Sequence, residues 1–190
     1  MATRYNFPLL GEPLALDLVN TCVRRDGTAV DLLDTPAALA AWLKAQSARL
    51  AWSGSVADTD LRAVRELRTA MVALLDARRE ESRPSASAMR KLNAALTAPV
   101  GSARLTWTAA GPRLAGPTKA SRREVLLHAL ATDLVSVLTG PSAVHLRVCA
   151  HPDCVLQFVA LNPRRRWCSA AVCGNRARVA RHYQRQQAQR

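Results

Sequence analysis

Four cysteines in the last quarter of this 190-residue chain, Cys149, Cys154, Cys168 and Cys173, carry its clearest chemistry, because the spacing C-x4-C-x13-C-x4-C makes two matched pairs within 25 residues. Thiolates suit Zn2+, and four of them complete its tetrahedron at ~2.3 Å without an oxygen cage. In a reducing compartment clustered cysteines are more often metal ligands than disulfides. The pattern predicts one zinc ion, and a structural one, since four protein ligands leave no position for water or substrate. His151 lies inside the first pair and is better read as a turn residue than as a rival ligand. Cys22 stands alone and reads as a small buried hydrophobe.

The two pairs differ in setting. Cys149-Ala150-His151-Pro152-Asp153-Cys154 leaves a β-like run through a proline-containing turn, as a zinc knuckle does, whereas Cys168 to Cys173 leads into a helical pattern. Knuckle, hairpin, then helix is the order of a treble-clef finger. The last ligand then falls in the first helical turn, where the positive end of the dipole favours a thiolate. So short a module buries little apolar surface, so metal binding must supply much of its folding free energy.

On a helical wheel Arg178, Arg181 and Arg185 fall within about 60° of one another, with Cys173, Val179, Ala180 and Tyr183 on the other side. Arg164, Arg165 and Arg166, in the loop before Trp167, extend the same positive surface. Arg176 falls on the inward side, placed to donate to zinc-bound thiolates, to carbonyls or to an acid of the preceding domain. Trp167 reads as a lid on the finger, with base stacking as the lesser alternative. From Arg147 to Arg190 there are nine Arg against Asp153 alone, a net +8 of the chain's +13, and the sequence pI is near 11.1. Polyanions are the first partners to consider, and guanidinium forks match phosphate oxygens and guanine edges.

The elements that must hold this module are mostly helical. Apolar residues make up 49% and aromatics 4%, and Ala and Leu recur while Gly is scarce, so the fold class is mainly α, of α+β type. A short helix is expected within Gly11–Thr21, then one from Thr35-Pro36 to Ala45, and an amphipathic one from Asp58 to about Glu80 whose arginines mostly face outward. Another starts at Pro84-Ser85 and stops at Pro99 and Gly101. Leu105–Leu114 reads as a β-hairpin, and the Ser121/Glu124 capping box starts a core helix that Gly140-Pro141 ends. Short β-like pieces, Val144–Val148 and Val155–Val159, surround the first cysteines, and the Gln-rich tail from Gln184 should fray. These give a helical domain over 1–142 and a finger over 143–190. The first eleven residues lack a signal peptide's charged start and apolar stretch, and no later run spans a bilayer, so a cytoplasmic location is expected.

Trp167-Cys168-Ser169 followed by Cys173-Gly174-Asn175-Arg176 resembles the CGNR zinc finger. Leu14-Ala15-Leu16-Asp17-Leu18-Val19-Asn20-Thr21 is similar to the opening motif of the ABATE domain, with Leu18 where an aromatic is more usual. That domain commonly precedes the finger in bacterial stress-induced transcription regulators. The resemblance implies a mainly helical α+β domain with a small-ligand pocket and a finger that binds DNA; Asp17, Asn20 and Thr21 are the candidates for that pocket, the alternative being that they cap and tie down a helix end. Asn175 and Arg176 of the tetrapeptide would support the metal site or the domain junction. The alternative partner is RNA or the ribosome, contacted without sequence readout. Specific operator binding by one finger would require a homodimer. No catalytic triad order, phosphate-cradling loop or paired His ligands appears, so the chain does not read as an enzyme.

Overall fold

The computed structural model describes residues 5–100, 104–115 and 120–188. Its first helix, α1 (Leu14–Val19), has six residues, all buried. Six residues cannot sustain a helix in water, so tertiary contacts must hold it. One is a cap from afar: Asp133 Oδ2 accepts the Ala15 N–H at 2.8 Å. The carboxylate that interrupts the apolar run of a later helix thus serves the positive end of the first.

A hairpin that the sequence reading lacks follows, β1 (Cys22–Arg25) paired antiparallel with β2 (Thr28–Asp31). Its turn is Asp26-Gly27, with φ of 49° and 78°. Both values are left-handed, as the mirror-image turns that match strand twist require. Cys22 is half-buried on this hairpin rather than part of the core.

Helix α2 (Pro36–Ala45) starts where Thr35 Oγ1 accepts from Ala38 N at 3.2 Å. Then come α3 (Asp58–Arg79) and α4 (Ala86–Leu96), the latter capped by Ser85. Gly101, expected to help end α4, lies outside the described residues. The hairpin β3 (Arg104–Thr108) and β4 (Gly111–Ala115) turns at Ala109-Ala110. Helix α5 (Arg122–Thr139) begins with the expected capping box, Ser121 N donating to Glu124 Oε2 at 2.7 Å and Glu124 N to Ser121 Oγ at 3.2 Å. It packs on α1, α3 and α4.

After a 3-10 turn, Pro141–His145, β5 (Leu146–Val148) pairs with β6 (Gln157–Val159) around the first cysteine pair. Helix α6 (Asn175–Ala188) ends the described chain and stays helical through the Gln-rich tail, of which Gln189 and Arg190 lie outside the described residues. The result is a mainly helical α+β fold with three separate two-stranded hairpins among the described residues. No described helix is long and apolar enough to cross a membrane.

The core lies between α1, α2, α3, α4 and α5, with Trp42, Leu16, Leu67, Met71 and Leu130 essentially inaccessible. Leu146 of β5 and Val159 of β6 join this same core. Arg68, expected on the outward face of α3, is instead only 4% exposed. Its guanidinium grips Asp31 at both oxygens, 2.7 and 2.6 Å, and donates to Thr21 Oγ1 at 2.6 Å. Arg65 approaches the same carboxylate at 3.0 Å. Burial alone would raise the Asp31 pKa. The hydrogen bonds and charge of Arg68, the Leu33 N–H and Arg65 outweigh it and hold the group below its ordinary value.

A carboxylate whose folded pKa is depressed adds stability above its unfolded pKa and loses it as pH falls through the folded one. Asp31→Asn should therefore cost about 3 kcal/mol in urea unfolding at pH 7, the scale of orphaning a buried ion-pair partner. The gap to wild type should shrink below the carboxylate range, and a gap unchanged with pH would contradict the ion-pair account.

Candidate metal centre and basic surface

Each cysteine pair is placed by a different local device. Cys149 leaves β5 with its N–H bonded to Leu156 O at 2.9 Å, and Cys154 closes the turn by donating its N–H to His151 O at 3.0 Å. His151 Nδ1 accepts from Asp153 N at 3.2 Å, so this side chain is occupied by the turn. The hairpin encloses the first pair; the chain between the pairs, expected to hold a hairpin of its own, holds only the second strand of this one, β6, and then a loop. In the second pair Cys168 precedes, and Cys173 sits on, one wide turn, Ala170–Gly174, closed by Gly174 N donating to Ser169 O at 3.0 Å, with Ser169 Oγ accepting from Val172 N.

The four sulfurs lie within 4.8 Å of one another, three of the residues buried and Cys154 half-buried. Tetrahedral ligation at ~2.3 Å puts neighbouring sulfurs about 3.8 Å apart. Cys154 and Cys168 stand 3.8 Å apart, and Cys168 and Cys173 3.6 Å. A backbone donor supports the set, Cys168 N to Cys149 Sγ at 3.4 Å. The hydrogen bond from Cys168 brings the Cys154 thiol down to about 5. That contact and burial push Cys168 upward, and burial pushes Cys173 to about 12. Donor chemistry and spacing fit one zinc ion, held by four thiolates with no open position.

The finger is fixed to the helical core by polar side chains, and for Asp17, Asn20 and Thr21 these contacts favour the tying-down reading over the pocket. Asn20 Nδ2 donates to Gln157 O at 2.9 Å while its Oδ1 accepts from Gln157 N at 2.7 Å. Glu12 Oε2 accepts from Val159 N at 2.9 Å. Asp17 accepts from Gln46 Nε2 at 3.2 Å and from Arg49, and Thr21 Oγ1 donates to Leu18 O at 2.6 Å. Asp17, Asn20 and Thr21 are at most 1% exposed, and none lines any of the main clefts among the described residues. Their side chains are engaged by protein groups, with Asp17 Oδ1 and the neighbouring Gln157 Oε1 left without a partner among the described residues. Glu12 and Gln157 were not singled out in the sequence, where 147 and 137 residues separate them from their partners.

The arginines divide. Arg165 is tied down: it donates to Glu12 Oε1 and Cys168 O at 2.8 Å and to Val159 O at 3.1 Å, and it lies 4.3 Å over the Phe158 ring. That occupation removes it from the open basic surface. Arg164, Arg166, Arg178, Arg181 and Arg185 are exposed. Arg176, expected to face inward, and Asn175, expected to support the metal site or the junction, are exposed too, because α6 buries none of its residues. For the same reason Val179 and Tyr183 are 46% and 61% exposed instead of facing the core.

These features define a zinc-finger protein in which a small tetrathiolate module is pinned to a helical α+β core. The chain belongs to the ABATE family, described as "putative stress-induced transcription regulator", whose model matches residues 12–141. The CGNR zinc finger matches residues 145–186. A search of curated proteins finds no match. Both families are of regulatory or zinc-finger type.

Two outcomes follow from the site. Cys168→Ser should reduce bound zinc from one ion per chain to none by elemental analysis. In wild type, zinc should be lost as pH falls, because protons compete for thiols that must ionise to ligate. For the clamp, Asn20→Ala should cost roughly 2 to 4 kcal/mol, two buried partners being orphaned. It should also open 145–175 to protease before the helical core, and equal protection in both proteins would speak against the clamp.

Proposed function

We propose that this protein is a DNA-binding transcription regulator whose zinc centre positions α6 and the preceding loop against the phosphate backbone. The observation that carries this reading is the state of α6. All fourteen residues are unburied, none is acidic, and Arg178, Arg181 and Arg185 share one face. A helix that buries none of its residues against its own chain and carries only positive charge is suited to a polyanion. Arg164 and Arg166 extend the surface, while Arg165 holds the loop that presents them. The tetrathiolate centre leaves no position for substrate, which supports a binding protein rather than an enzyme, acting in the cytoplasm.

A ligand-sensing role moves from the buried motif to a cleft of 330 Å³ between β1 and the finger, where Leu10, Val23 and Leu156 meet Arg24, Arg25 and Arg176. A molecule there would touch both parts at once. Specific operator binding through one short helix per chain calls for two copies.

Replacing Arg178, Arg181 and Arg185 together by Ala should lower the slope of log affinity against log salt by about 2 to 3, roughly one for each phosphate that is no longer neutralised. Arg165→Ala should reduce stability instead. A salt slope unmoved by the triple variant in fluorescence anisotropy would reject the basic face. Equal affinity for selected and random duplex at every salt concentration would favour RNA or a purely charge-driven partner.

A further inference from the structure

Beside the basic face of α6 lies a notch of 460 Å³ between the helix and the turn of the first cysteine pair. Ala177 and Ala180 line it from the helix, Pro152 from the turn, and the indole of Trp167 from the loop. Its charged members are Arg166 and Arg181, both exposed, and no acidic residue lines it. Asp153, the only acid of the finger, borders the cleft with β1 instead.

Trp167 packs on the buried cysteine cluster, as a lid does, and is half-buried, so part of its indole remains open to the notch. The ring is nevertheless held, because a side chain at Gly174 would stand 3.2 Å from Trp167 Cδ1, so the absence of one lets the indole seat against the start of α6. The alanines leave room where longer side chains would fill the notch. An aromatic wall packed on the finger, small apolar neighbours and a rim whose charged residues are both cationic are features by which proteins hold an unstacked base.

The geometry points to a second nucleic-acid subsite: the notch takes one unpaired nucleobase of DNA, stacked on Trp167, with the flanking phosphates on Arg166 and Arg181. This rests on the nucleic-acid reading of the basic face, with which the notch shares Arg181. The Arg166 guanidinium lies 5.4 Å from the Trp167 ring centroid. A flat base between them needs about 7 Å, two van der Waals layers of about 3.5 Å, so this exposed side chain swings outward on binding. The site would prefer a duplex that is bulged, distorted or locally open.

The test compares the zinc-loaded full chain on three DNA probes by fluorescence anisotropy: a paired duplex of about two helical turns, the same duplex with one unpaired central thymidine, and its single strand. The bulged duplex should bind about ten-fold more tightly than the paired one, the scale of one base–aromatic stack. Trp167→Phe should retain that preference, and Trp167→Leu, checked to hold its zinc, should lose it. In wild type, 5-iodouracil at the bulge should crosslink to Trp167, a readout that needs no variant. Equal affinity for paired and bulged duplexes, or crosslinking elsewhere, overturns the notch. If the paired duplex then still responds to loss of Arg178, Arg181 and Arg185, the basic face stands without it. If no probe binds, both readings fall.

Discussion

The outer edge of β6 is closed by side chains. A two-stranded hairpin leaves one row of backbone groups unpaired on each strand, and a buried edge cannot leave them so. The N–H and C=O of Gln157 both bond the Asn20 amide, the Val159 N–H bonds Glu12, and the Val159 C=O receives Arg165. Glu12 and Arg165 also pair with each other. Three side chains thus act as the missing strand, and two of them come from the beginning of the chain. The position of the finger on the helical core depends on this row of contacts, together with Leu146 and Val159 in the core.

Zinc and clamp divide the work of making so small a module rigid. The finger's own buried cluster holds little beyond Phe158, Ala160 and three cysteines, too little apolar area for stability by itself. The metal closes the chain between 149 and 173, but a metal centre fixes only what is near it. Orientation relative to the core comes from Asn20 and Glu12, and the two constraints meet at Arg165, which reaches Glu12 on one side and Cys168 O on the other. What neither constraint touches is α6 beyond its first turn, and that is where the exposed arginines sit.

Those parts of the molecule governed by local chemistry were legible in the sequence. Thr35, Ser85 and Ser121 announce their helices because a cap is a contact three residues long, and the cysteine pairs announce the metal because ligand spacing is also local. Asp26-Gly27 was readable in principle, though its strands of four residues alternate too little to declare themselves. The roles of Asp17, Asn20 and Thr21 were not legible. A polar residue in an apolar motif looks the same whether it faces a ligand or a backbone group 137 positions away. The helical wheel of α6 failed for a related reason: periodicity reports an apolar stripe but says nothing of whether an element exists to cover it.

Arg164, Arg165 and Arg166 show how position separates identical side chains. All three occupy one loop and contribute equally to the net charge, yet Arg165 is half-buried between the Phe158 ring and Glu12 while its neighbours point to water. The loop itself explains the alternation. Asn162 Oδ1 accepts from Arg164 N and its backbone O accepts from Arg165 N, so the turn closes at Arg165 and directs that side chain toward β6. A charge count taken over the finger therefore overstates its open positive surface. The tetrathiolate zinc offsets two charges and Glu12 a third, and what remains is concentrated on Arg164, Arg166 and α6. The clamp that seats the finger thus also selects which arginines stay free to meet a partner.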